Sequence, residues 1–109
     1  IIIYGAGDKA ISVGEKSKIT IEDITVLNSK IGLASKDSSN VEATNVKISN
    51  TRYGVVSYMK KSEYGSSRIN ISEISVLNSE EKYLVEKGSS IKVNNRDIPT
   101  VDFNFENLM

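Results

Sequence analysis

The stretch Ser17-Lys-Ile-Thr-Ile-Glu-Asp-Ile-Thr-Val-Leu-Asn-Ser29 recurs as Ser39-Asn-Val-Glu-Ala-Thr-Asn-Val-Lys-Ile-Ser-Asn-Thr51. It recurs again as Ser67-Arg-Ile-Asn-Ile-Ser-Glu-Ile-Ser-Val-Leu-Asn-Ser79, and in degraded form from Ser89 to Val101. The step from Ser17 to Ser39 equals the step from Ser67 to Ser89, and the one between them is longer. A fixed internal period, here about 22 residues, is the signature of a repeat architecture, and it constrains the fold before any local propensity is weighed.

Aligned on this period, the apolar residues fall into columns. Ile19, Val41, Ile69 and Ile91 form one, and Ile21, Ala43, Ile71 and Val93 the next. Ile24, Val46 and Ile74 follow, then Val26, Ile48, Val76 and Ile98. Within each repeat the apolar positions alternate, which is the strand period. The step from Ile21 to Ile24 is three instead of two, and the slip falls at Glu22-Asp23, Thr44-Asn45 and Ser72-Glu73, residues suited to bends. The pattern predicts two short strands with a bend between them. A third strand precedes them: Ile11 aligns with Leu33, Val55 and Tyr83, and Ala10 with Gly32 and Gly54. Three strands in one such period cannot close a core alone, whereas equivalent strands stacked in parallel bury every inward face. The six residues that lengthen one period lie within Tyr58-Met-Lys-Lys-Ser-Glu-Tyr-Gly-Ser66 and are expected to project as a loop at a corner. Asn28, Asn50 and Asn78, with Thr100 in the fourth place, form a polar column after the second strand. Asn tolerates the left-handed backbone of a sharp corner, and stacked amides can hydrogen-bond along the column as a structural ladder.

The period, the inward columns and the Asn28/Asn50/Asn78 ladder resemble the right-handed parallel β-helix, or pectin-lyase-like, family over about residues 5 to 100. The resemblance implies an all-β fold: a right-handed parallel β-helix solenoid of about four rungs, one per repeat, with three short strands per rung. The family includes polysaccharide lyases, glycoside hydrolases, epimerases, phage tailspikes and bacterial surface proteins. Gly7-Asp-Lys-Ala-Ile-Ser-Val-Gly-Glu15 and Ile31-Gly-Leu-Ala-Ser-Lys-Asp37 look like repeats common in bacterial β-helix proteins. No catalytic motif of the family is recognisable.

Residues 1–109 read as a single domain, expected to be the C-terminal part of a longer solenoid. Ile1-Ile-Ile-Tyr4 reads as a core strand and not as a polar cap, so upstream rungs of the same parent protein are expected against it. The absence of an initiator Met points to a processed or excised chain. An end left open could also self-associate end to end by strand pairing. Towards the other terminus Arg96 interrupts an apolar column, Pro99 lacks an amide hydrogen, and residues 101–109 are expected to cap the last rung through the alternating Val101-Asp-Phe-Asn-Phe105.

Fourteen basic and fourteen acidic residues cancel, which argues against a nucleic-acid partner. No apolar run approaches the roughly 20 residues of a membrane span. With no Cys, no disulfide holds the fold, and with no His the commonest general base and transition-metal ligand is missing. The corner after the third strand is the candidate polysaccharide-binding site. It gathers Glu15, Lys36, Asp37 and Tyr58, with Lys60, Lys61, Glu63 and Tyr64 from the insertion one rung on. Lysines pair with uronate carboxylates, and tyrosine rings stack on sugar faces. A β-elimination would take Lys61 or Tyr64 as base. A Ca²⁺ site needs about six oxygen ligands, for which Glu15 and Asp37 are only a start, so no cofactor is expected. The outward faces are rich in Ser, Thr, Asn, Lys and Glu, and the chain has only seven aromatic residues, five Tyr and two Phe, so no aromatic stripe marks a long sugar groove. The expectation is a structural or interaction segment of a bacterial surface or secreted, extracellular β-helix protein associated with polysaccharide. The alternative is part of a lyase- or epimerase-type enzyme acting on anionic sugars.

Overall fold

The computed structural model describes residues 1–5, 7–59, 65 and 67–108. Among the described residues ten strands follow one another: β1 (Ile2–Tyr4), β2 (Lys9–Val13), β3 (Lys18–Leu27), β4 (Ile31–Lys36), β5 (Asn40–Ser49), β6 (Tyr53–Tyr58), β7 (Arg68–Leu77), β8 (Glu81–Val85), β9 (Ser90–Val93) and β10 (Arg96–Asp97). A short 3₁₀ turn covers Phe105–Leu108. The chain alternates between two sheets. One has six strands in the order β1-β3-β5-β7-β9-β10, the other four in the order β2-β4-β6-β8. Every pairing among these strands is parallel except β9 with β10.

The registers reproduce the sequence columns. Ile19 pairs with Val41, Val41 with Ile69 and Ile69 with Ile91. Ile11, Leu33, Val55 and Tyr83 align in the second sheet. Side chains from the facing sides of both sheets form one core, in which Val26, Leu33, Val41, Ile48, Val55, Ile69, Val85 and Ile91 are at most 1% exposed. Each such side chain contributes about 1.5–3 kcal/mol by leaving water.

Strand number departs from the expected three per repeat. The two short strands on either side of the bend are continuous, as β3, β5 and β7, each of ten residues. The bend persists inside them. Asp23, Asn45 and Glu73 have φ of 54°, 56° and 62°, and the pairing skips these positions. One left-handed residue resets the alternation without ending the strand, as in a bulge. A second reset lies in the other sheet, where pairing skips Ala10, Gly32 and Gly54. A Cβ on Gly54 would lie 2.5 Å from the Lys82 carbonyl oxygen, so the backbones approach too closely there for a side chain.

The fourth repeat also departs. Asn94 and Asn95 have φ of 50° and 66°, and the chain reverses, pairing Arg96 with Val93 and Asp97 with Lys92. Two consecutive left-handed residues make the two-residue hairpin turn that matches strand twist. Ile98 donates its amide to Ile91 and does not pair beneath Val76, and Thr100 does not extend the Asn column.

The central strands of the four-stranded sheet, β4 and β6, are buried on both faces. Ile31, Ala34, Tyr53, Val56, Tyr58 and Leu84 form a second cluster with Phe105, with Phe103 packed against it. The Phe103 ring meets Tyr53 edge-on at 5.6 Å between centroids, and Phe105 stacks on Tyr58 at 6.1 Å. The segment expected as a cap thus lies along the outer side of this sheet.

Candidate functional site

At the corner between β2 and β3, Glu15 and Lys16 have φ of 38° and 61°, and between β4 and β5 Asp37 and Ser38 have 51° and 63°. The Lys16 amide donates to the Asp37 carbonyl at 2.9 Å, and the Asp37 amide to the Tyr58 carbonyl at 3.3 Å, so the corners stack as the strands do. The structure brings Glu15, Lys36, Asp37 and Tyr58 to one edge, but only Glu15 is fully open to solvent. Lys36 is half-buried and lays its stem over Gly14, whose added Cβ would meet Lys36 Cε at 2.9 Å. Asp37 is 1% exposed. Tyr58 is fully buried with its ring against Phe105, so it offers no face to a sugar. Among the described residues its hydroxyl makes no hydrogen bond. Burial, then the charges of Asp37, Asp8 and Glu86, push the Tyr58 phenol up. Lys60, Lys61, Glu63 and Tyr64 lie outside the described residues. No three Asp or Glu side chains among the described residues gather into a set that could hold a metal.

Side-chain ladders hold the corners and the mid-strand bend. Asn28, Asn50 and Asn78 have φ of 59°, 57° and 56°. The Asn78 amide donates to Asn50 Oδ1 and the Asn50 amide to Asn28 Oδ1, each at 3.1 Å. At the bend, Asn45 donates to Asp23 Oδ1 at 2.8 Å, and the Glu73 amide to Asn94 Oδ1 at 3.2 Å. The third ladder is buried and made of serine. The Ser39 hydroxyl is 2.5 Å from Ser35 Oγ and donates to the Val13 carbonyl at 3.1 Å. Ser57 and Ser67 pair at 2.5 Å, Ser67 donates to the Ser35 carbonyl at 2.9 Å, and the Ser67 amide donates to Ser89 Oγ at 3.2 Å. The signal for this ladder was the Ser that opens each repeat, at 17, 39, 67 and 89. Small hydroxyls can satisfy buried carbonyls where the core narrows at a corner.

A further surface was not singled out by the sequence reading. Arg68, Asn70, Gly88, Ser90 and Lys92 line an outward groove of about 330 Å³. Arg68 pairs with Ser90 and Asn70 with Lys92, which sets the two cations on a diagonal of one face. Asn70 donates to Glu42 Oε1 at 2.8 Å. Neither Arg68 nor Lys92 forms an ion pair among the described residues. The signal lay in the even-numbered residues of the alternation, where a charge on one strand meets a charge two places along on the next.

No family model, curated protein or solved structure matches this chain.

Proposed function

We propose that the chain is a structural and interaction segment of a right-handed parallel β-helix, a solenoid whose outward face binds anionic polysaccharide, in a bacterial surface or secreted protein. The observation that carries the reading is the register: residues one repeat apart pair across two parallel sheets. Right-handed winding follows from the near-universal hand of parallel crossovers. The bacterial, extracellular setting rests on the family resemblance.

The Arg68/Lys92 groove is the favoured contact. Two cations without an ion pair among the described residues, with Asn70 and Ser90 between them, offer charge to a uronate carboxylate and hydrogen bonds to its hydroxyls. The elimination chemistry of the alternative reading would use Lys61 or Tyr64, which lie outside the described residues, so binding carries the proposal.

Affinity electrophoresis through gels containing polygalacturonate, alginate or neutral dextran tests it. The native chain is retarded by the uronates and not by dextran, and the retardation fades with added salt, because exposed charges are screened. Arg68→Ala with Lys92→Ala loses it. Equal mobility in all gels removes the polysaccharide reading, and retardation that survives the double substitution removes this groove from it.

A further inference from the structure

We propose that the hollow between β8 and the β9–β10 hairpin binds a small aromatic carboxylate, its ring against Tyr83, Val93 and Ile98 and its charge on Arg96. These four residues and Asn94 line a cavity of about 580 Å³. Ligand pockets commonly enclose about 300–1,000 Å³.

The hollow comes from the reversal at Asn94-Asn95, inside the chain. Val46 pairs with Ile74 one repeat on, but the pairing of β7 with β9 stops at Ile71 and Val93, where the chain turns back. Among the described residues no strand lies beneath Ile74. Burial records the gap. Ile24, Val46, Leu33, Val55, Ala43 and Ile71 are at most 6% exposed. The next residues in the same columns, Ile74, Tyr83 and Val93, are only half-buried. The segment after Ile98 leads elsewhere. The Val101 amide donates to the Val85 carbonyl at 2.9 Å, and Phe105 lies on the outer side of the four-stranded sheet against Tyr58.

Arg96 faces this space. It pairs opposite Val93 across the hairpin, and opposite residues share a face, so its side chain stands on the inward side. Asp97 pairs opposite Lys92 on the other face. Among the described residues Arg96 forms no ion pair, and no acidic side chain lines the cavity. The arginine that interrupts an apolar column in the sequence is thus a charge set over an apolar hollow.

The lining selects the ligand. Asn94 Oδ1 accepts from the Glu73 amide at 3.2 Å, which leaves the Asn94 side-chain N–H groups to offer. The Arg96 guanidinium only donates. Burial pushes the Tyr83 phenol up, so it keeps its proton at neutral pH. Apart from the Tyr83 oxygen, the polar side chains here present donors and no free acceptor. A sugar hydroxyl uses both, whereas a carboxylate needs donors alone and meets a guanidinium through two parallel bonds. The rest of the wall is Val93, Ile98 and the Tyr83 ring, which suits a flat apolar body. The ligand class therefore differs from the uronate proposed for the Arg68/Lys92 groove on the opposite face of β9.

Isothermal titration calorimetry of the native chain with cinnamate tests this, with cinnamyl alcohol as the probe lacking the charge and acetate as the probe lacking the ring. Cinnamate binds saturably, and the other two bind at least about tenfold more weakly. Arg96→Gln weakens cinnamate by about tenfold and leaves cinnamyl alcohol unchanged. Amide chemical shifts of Val93, Asn94 and Ile98 move with cinnamate in the native chain. Far-UV circular dichroism checks that the variant keeps the native strand content. Absence of saturable cinnamate binding overturns the proposal. So does an affinity that survives Arg96→Gln, or shifts confined to other strands.

Discussion

At the scale of the residue, the fold depends on positions where an ordinary side chain is disfavoured. Asn50 has φ of 57° and sits mid-ladder, donating to Asn28 and accepting from Asn78. Its two contributions separate by substitution. Asn50→Gly keeps the left-handed backbone and loses the bonds, costing about 1 kcal/mol at an exposed site. Asn50→Ala keeps a Cβ in that region without the short polar side chain by which Asn offsets its cost, adding about 1–2 kcal/mol. Urea unfolding of the two variants measures the gap, and equal midpoints would mean that the backbone geometry contributes nothing. Tyr58 is the other decisive residue, through its buried phenol. Its raised pKa means that the folded state holds the proton above the pH, about 10, at which the unfolded chain releases it. The folded state therefore binds more proton in that window, and stability falls as pH rises through it. Tyr83, raised by burial as well, adds to the same fall. Tyr58→Phe removes a hydroxyl with no partner among the described residues, so stability near pH 7 changes little and the alkaline fall becomes shallower. Denaturant midpoints from pH 7 to 11 check it, and an unchanged slope would sink the assignment.

At the scale of the element, the four-stranded sheet shows where sequence reading stops. Its inner columns were visible because Ile11, Leu33, Val55 and Tyr83 recur at the repeat spacing. Its outer face was not, because Ile31, Ala34, Val56 and Leu84 are apolar on the side that alternation assigns to solvent. A strand buried on both faces reads as a continuous apolar run, and Tyr53-Gly-Val-Val-Ser57 is such a run. What covers it is the segment after Pro99, whose alternation marks Phe103 and Phe105 as inward but does not say which face they dock on, because that depends on tertiary contact. The expected pair of short strands became one for a related reason. A single left-handed residue looks like a strand end in sequence, yet Glu22↔Thr44 and Ile24↔Val46 both hold in the structure. The covering segment predicts its own test. Phe105 is 4% exposed and packs on Tyr58 and Phe103. Phe105→Ala costs about 3–5 kcal/mol, as for a buried aromatic. Removal of residues 101–109 uncovers the whole face, lowering solubility and raising dye binding to apolar surface. A truncated chain as soluble and as stable as the native one would show that this face needs no cover.

At the scale of the molecule, the repeat made the pairing of both sheets readable, because each parallel register needs only the period and the inward columns. It could not reveal how the stack ends, since the ends are where the repeat fails. One end closes on itself at Asn94-Asn95, where a primed turn folds β10 back onto β9. At the other, β1 pairs with β3 at Thr25, Val26 and Leu27. The candidate corner was legible as a column of residues and not as a surface. Spacing placed Asp37 and Tyr58 together, but only packing shows that both are buried. Unlike ends predict unlike local stability, which amide exchange resolves residue by residue. β5 is paired on both sides along its length, so its amides open only with the whole fold and exchange slowest. Within β3 the contrast falls between neighbours. The Asn40 amide donates to the Ser17 carbonyl, so by alternation Ile19 and Ile21 direct their amides into β5 and stay protected, whereas Lys18, Thr20 and Glu22 direct theirs away from it and exchange faster. Uniformly fast exchange along β3 would mean that its pairing with β5 does not hold.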